Sequence, residues 1–194
     1  MPENAMDVRQ AVEAIISKAK EVFSQPLYDS SDIAAATVGD VRFFNNTIAT
    51  VGKLRTNMEL AGQLPSPRQL LIQQISVIPW ASQAVTAASV SVADDVALIA
   101  AQTSFVLTIS DKPYLTMPSL LLPGGVGIET ADVTQGHSGM AHPAARFNVL
   151  RPGQLLKPNE NFNGVVNIPV AIAGLTQSTR VYVVLWGLQL RAVQ

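Results

Sequence analysis

The sequence predicts an all-β protein: a single antiparallel β-sandwich with an N-terminal amphipathic helix and one short inserted helix. Three observations lead there. The last stretch, Arg180 to Gln194 (RVYVVLWGLQLRAVQ), has the composition of a long strand, with every residue apolar from Val181 to Trp186. Before it come many short apolar or alternating runs, separated by Pro- and Gly-rich turns. Nowhere do strands and helices alternate as a doubly wound sheet requires.

The terminal strand organises the rest. A continuous apolar run implies burial on both faces. From Gly187 the pattern alternates, with Leu188 and Leu190 on one face and Gln189 and Arg191 on the other. Such a strand starts in the centre of a sheet and ends with one face wet. A chain that closes on its most apolar strand keeps that end docked.

Composition narrows the function. Of 194 residues, 48% are hydrophobic and only 14% charged, against about 25% charged in an average soluble protein. So few charges imply that much surface is buried against other chains. Lys and Arg number 13 and Asp and Glu 14. No basic patch stands out, so nucleic-acid binding by a charged face is not expected. There is no cysteine, which removes disulfides, thiolate metal sites and thiol nucleophiles. No apolar run reaches the ~18 residues of a membrane span. Arg9, Glu13, Lys18 and Lys20 interrupt any signal-peptide core.

In chain order, Asn4 to Ser24 reads as one amphipathic helix. Val8, Ala11, Val12, Ile15, Ile16, Ala19, Val22 and Phe23 follow helical spacing, Asn4 suits the N-cap, and Pro26 stops the helix. Residues 1–25 therefore form a helical arm, and 26–40, rich in Ser, Asp and Ala, a linker. Residues 41–194 form the body. Val41 to Phe44 and Thr47 to Val51 read as short strands about the turn-prone pair Asn45-Asn46. Gln69 to Pro79 is a strand, and Ser89 to Gln102 a helix placed across the end of a barrel. Ser104 to Ser110 alternates cleanly, with Phe105, Leu107 and Ile109 inward. Asp111 to Pro113 turns the chain into Tyr114 to Met117. Residues 124–144 hold both histidines and read as a long surface loop. Strands follow at Ala145 to Leu150, Gln154 to Leu156 and Phe162 to Pro169. Val165, Ile168, Val184 and Trp186 join the expected core. This element order fits a jelly roll best.

No constellation promises catalysis. Gly136-His137-Ser138-Gly139-Met140 resembles a nucleophile elbow, but Met140 replaces the last glycine and no buried strand precedes it. His137 and His142, with Glu129 and Asp132, lack ligand spacing for a metal. Gly124-Gly125-Val126-Gly127 has no lysine and no helix after it, as a phosphate loop requires. Asp94 and Asp95 are neighbours on a helix and point about 100° apart, which makes a poor carboxylate pair. We expect no catalytic residue, cofactor or metal, and no enzyme.

The helical arm, the low-charge body, DKPYLTMPSLLLPGGVG, LLKPNENFNGVVNIP and the terminal VVLWGLQLRAVQ resemble small single jelly-roll capsid proteins of tailless phages with an internal membrane. The resemblance spans residues 40–194 by pattern, with no diagnostic motif. It implies a virion protein that assembles in a host cytoplasm into capsomers of an icosahedral shell, with no catalytic residues to carry over. Its partners would be other copies of itself, with a second capsid protein and an internal membrane as further candidates. The arm face Val8, Val12, Ile15, Ile16 and Phe23 is the expected interface. The alternatives are a decoration, fibre or carbohydrate-binding sandwich and, behind these, a cupin-like barrel enzyme, which would show a cluster of His and Glu ligands on its strands.

Overall fold

The computed structural model describes residues 19–34, 36–81, 91–122, 153–175 and 178–192, together with Gln10, Glu13, Ile16 and Ser17. Its strands are β1 Ala19–Ser24, β2 Leu27–Ile33, β3 Gly39–Phe43, β4 Arg68–Ala81, β5 Ser104–Ile109, β6 Lys112–Pro118, β7 Gln154–Leu156, β8 Phe162–Ile168 and β9 Thr179–Ala192. Two helices are described, α1 Ile48–Val51 and α2 Ser91–Gln102, with a 3-10 turn at Ser119–Leu121.

The strands form two antiparallel sheets. Sheet A runs β1-β9-β4-β7, with β2 also paired to β9, and sheet B runs β3-β8-β5-β6. As its composition predicts, β9 is central. β4 pairs along its whole length, from Arg68↔Arg191 to Ala81↔Thr179. Its other edge takes β2 against the first half and β1 against the second. The pairs β2·β9, β3·β8, β4·β7 and β5·β6 are the rungs of one long hairpin whose tip is Ser110-Asp111. The hairpin is rolled until β4 also meets β9 and β5 also meets β8.

Rolling brings two apolar faces together. Phe105, Leu107 and Ile109 from β5 and Phe162, Val166 and Ile168 from β8 share one buried cluster with Leu70, Ile72, Ile75 and Val77 from β4 and Val181, Val183 and Leu185 from β9. The alternation read in β5 is thus its burial pattern. Ile168 is in the core as expected, but Val165, three residues before it, falls on the other face of β8 and is half-buried. Trp186 is also only half-buried, and its Nε1–H donates to Ser76 Oγ at 2.9 Å. Val184 is buried, outside that cluster. One glycine is dictated by space: a Cβ on Gly187 would lie 1.9 Å from the carbonyl oxygen of Leu71, where β4 bulges between Ile72 and Gln74.

Three local expectations are corrected. Gln10, Glu13 and Ile16 are helical, and Ser17 N–H donates to Glu13 O at 2.9 Å. The helix does not run to Ser24, because Ala19–Ser24 is β1. The free edge of β9 offers unpaired backbone groups, and the cross-strand pair Glu21–Arg191, at 3.0 Å, fits only a strand. The segment read as a linker contains β2, hidden by its Asp and Ser content. Only Gln25-Pro26 interrupts the ladder, where proline has no N–H to give. Ile48–Val51 is a short helix, not a strand. β3 pairs with β8 and β4 lies in the other sheet, so a hairpin partner for β3 has no place.

α2 closes one end of the sandwich, as expected, with Ile99 in the core. Thr103 Oγ1 bonds Ile99 O at 2.8 Å and Ser119 Oγ at 2.7 Å, tying the helix to the 3-10 turn. The loop 124–144, with its histidines and elbow-like sequence, and the expected strand 145–150 lie outside the described residues.

Candidate assembly surface

The expected interface residues separate. Ile16 is helical and half-buried, whereas Phe23 sits on β1, paired with Gln189 and half-buried. Val8, Val12 and Ile15 lie outside the described residues. Phe23 therefore belongs to the subunit's own sheet, not to a helical stripe. With β1 and β2 both docked on β9, no flexible linker follows Pro26, and any arm is confined to residues before Ala19.

A different surface emerges from the topology. The connections 34–38, 82–103, 119–153 and 169–178 all leave from one end of the sandwich, where Ile33 and Ala81 meet Thr179 and where Gly39 meets Ile168. Segments 34–38, 119–122 and 169–178 contain no Asp, Glu, Lys or Arg, whereas α2 carries Asp94 and the buried Asp95, and Asp40 lies at the start of β3. At this end Val38 is 59% exposed, Leu120 57%, Leu121 56% and Val170 70%. Single exposed apolar residues are ordinary, but a set gathered at one end is the mark of a surface that another molecule covers. Sequence patterning missed it because Val38, the pair Leu120-Leu121 and Val170 lie far apart along the chain.

The opposite end carries charge and a cleft of about 310 Å³, bounded by Tyr28, Asn57, Glu59, Gln63, Arg68 and Gln189 among others. Its polar groups are engaged with one another. Asn57 Oδ1 accepts Tyr28 N–H at 2.8 Å and its Nδ2 donates to Pro26 O at 2.8 Å. Arg68 pairs with Glu59 at 2.6 Å, and Gln189 Nε2 reaches Gln25 O at 3.3 Å.

Two carboxylates fix the long connection 44–67 to β2. Asp29 is fully buried and accepts N–H groups from Ser30 at 2.9 Å and from Phe44 at 2.6 Å. Those bonds hold Phe44 at φ 67° with its ring buried against Phe162. Burial pushes the Asp29 carboxyl above its ordinary value, and the hydrogen bonds from Phe44, Ser30 and Thr56 oppose this only in part. Asp32 shows the opposite balance. Burial would raise its carboxyl, but the guanidinium groups of Arg55 and of Arg180, the latter at 3.0 Å, outweigh it and hold the carboxyl below its ordinary value. Tyr28 and Tyr182 hydroxyls donate to the carbonyls of Lys53 and Leu54 at 2.5 and 3.1 Å.

Among the described residues no three His, Asp or Glu side chains gather as metal ligands, and no helix is long and apolar enough to cross a membrane. No known protein family and no curated protein matches the sequence.

Proposed function

We propose that this chain is a structural shell subunit, a single jelly-roll capsid protein that assembles with copies of itself through contacts between barrels. The rolled hairpin supports the jelly-roll assignment, since a doubled antiparallel ladder folded across two sheets is that architecture. The same architecture serves lectins and cupins, so fold alone does not select the function. The observation that carries the reading is the gathering of exposed Val38, Leu120, Leu121 and Val170 at one end of the sandwich, in a chain of only 14% charged residues. A carbohydrate-binding role would use the cleft, whose polar groups are largely paired internally.

In this reading the end with Val38, Leu120, Leu121 and Val170 packs against neighbouring subunits, and the helical residues before Ala19 add a second contact, to a neighbour, a second capsid protein or an internal membrane. The test is light scattering coupled to size exclusion, with electron microscopy of the same fractions. Capsomers or closed shells are expected. A monomer across the accessible concentration range sinks the proposal.

A further inference from the structure

A sheet edge presents unpaired backbone N–H and C=O groups, and proteins that stay apart guard those edges. Several edges here have guards. β6, one outer strand of sheet B, carries Pro113 and Pro118, which have no N–H, together with Lys112 and a register shift between Leu107 and Thr108. β7 is only three residues long. On β2, Tyr28 N–H and C=O are occupied by Asn57, whose N–H donates to Tyr28 O at 3.2 Å, and by Thr56 Oγ1 at 3.1 Å.

β3, the other outer strand of sheet B, has none of these devices. Gly39-Asp40-Val41-Arg42-Phe43 contains no proline, lysine or bulge and pairs with β8 in unbroken register. Among the described residues no strand pairs with its other side. Its two charges are opposite in sign, both exposed, and flank Val41. Asp40 accepts Asn167 Nδ2–H at 2.7 Å, which steadies its carboxylate on the outer face of the sheet. Arg42 has no ion-pair partner among the described residues.

This arrangement is self-complementary. Strand alternation puts residues 40 and 42 on the same face of the sheet, with residue 41 on the other. If a second β3 lies antiparallel with a two-fold axis through Val41, residue 40 of each copy falls directly opposite residue 42 of the other. Asp40 then meets the second copy's Arg42, and Arg42 the second copy's Asp40. Opposite charges directly across a strand pair stabilise it, and like charges there disfavour it. A two-fold through either charged residue would instead set that charge against itself. We infer that β3 is the pairing edge of a symmetric dimer, in which two copies join antiparallel about Val41 and continue sheet B from one subunit into the next. The contact is isologous and closes on itself. It rests on the chemistry of this edge alone, and holds whether or not larger shells form.

The absence of cysteine allows a direct test. An Asp40→Cys protein is mixed with an Arg42→Cys protein, otherwise full-length, and oxidised mildly. Directly opposed Cβ atoms lie about 4.5–5.5 Å apart, against about 7–8 Å for diagonal ones, and a disulfide wants roughly 3.5–4.5 Å. Covalent dimer should form in the mixture far above its level in either protein alone. Equal cross-linking in all three samples, or none in the mixture, overturns the inference. Sedimentation velocity supplies the second arm. Asp40→Arg or Arg42→Asp singly should weaken dimerisation by about tenfold or more, and the two together should restore it to within about threefold. Failure of the double swap to recover, with the fold intact by circular dichroism, also overturns it. Light scattering on the cross-linked sample separates this contact from the shell proposal: dimers without larger particles uphold the edge and sink the shell.

Discussion

At one end of the sandwich the connections 44–67, 110–111 and 157–161 all carry charge and are stitched together. Glu160 bonds Ser110 Oγ at 2.9 Å and Lys157 N–H at 3.0 Å, and Gln63 reaches Asn161 at 2.5 Å. From there the 44–67 connection runs along β2 as far as Asp32, held by Arg55 and by two tyrosine hydroxyls. At the other end, 34–38 and 169–178 carry no charge; Ile172 and Leu175 are buried there, but Val38 and Val170 are exposed. The lesson is a division of labour. Polar chemistry in this chain is spent on holding the subunit's own loops at one end, where Leu54 is nonetheless exposed, whereas the exposed apolar side chains of the other end come from three separate connections.

Substitutions sharpen that contrast, and on stability they rank from the held half to the bare end. Gly187→Ala should cost the most, about 3 kcal/mol or more, because its methyl meets the Leu71 carbonyl and β4 has to move. Urea unfolding measures it, and a change under 1 kcal/mol would mean that the close contact of β4 and β9 is not as described.

Next comes Asp29→Asn, at about 1–3 kcal/mol, since Ser30 and Phe44 donate to different carboxylate oxygens and the amide replaces one of these with an NH2 donor. The wild-type carboxyl also has a distinctive pH signature. With its folded pKa raised above the unfolded value, the native state binds the proton more tightly. Its contribution to stability therefore grows as pH falls through the folded value toward the ordinary 3.8, and is lost as pH rises. Subtracting the mutant's pH–stability curve from the wild type's should reveal that slope; a difference of the opposite sign refutes the assignment.

Asp32→Asn should cost less, about 1 kcal/mol at most, because a third of the side chain is in water and solvent screens the pair. Here the sign reverses. The depressed folded pKa makes the contribution present above the ordinary 3.8 and lost as pH falls below it, so mutant and wild-type melting temperatures should converge in acid. A gap that stays constant from pH 7 to well below pH 3.8 would exclude the double-arginine clamp.

The smallest effect on stability belongs to the exposed apolar set. Leu120→Ser with Leu121→Ser and Val170→Ser should leave the unfolding midpoint within about 0.5 kcal/mol of wild type, since exposed side chains lose little on truncation. Under the shell reading the same variant loses assembly by light scattering. If assembly survives unchanged, the exposed apolar set is not the contact.

The sequence alone determined the elements whose chemistry is one-sided. β4, β5, β8 and β9 are rich in β-branched and aromatic residues or alternate strictly, so pleated structure and an apolar face follow from local pattern. α2 was legible in its helical spacing, as was the interior position of Phe105, Leu107 and Ile109. Only tertiary structure decided the rest. Ala19–Ser24 has helical spacing yet becomes a strand, because the unpaired edge of β9 supplies hydrogen bonds that a helix would have to find within itself. Leu27–Ile33 reads as polar linker, since the value of Asp29 and Asp32 lies in partners 15 and 23 residues away. The exposed apolar set was invisible for the same reason. Val38, Leu120, Leu121 and Val170 become one surface only when the rolled hairpin brings its distant turns to the same end, and spatial adjacency of that kind is a property of topology, not of any window of residues.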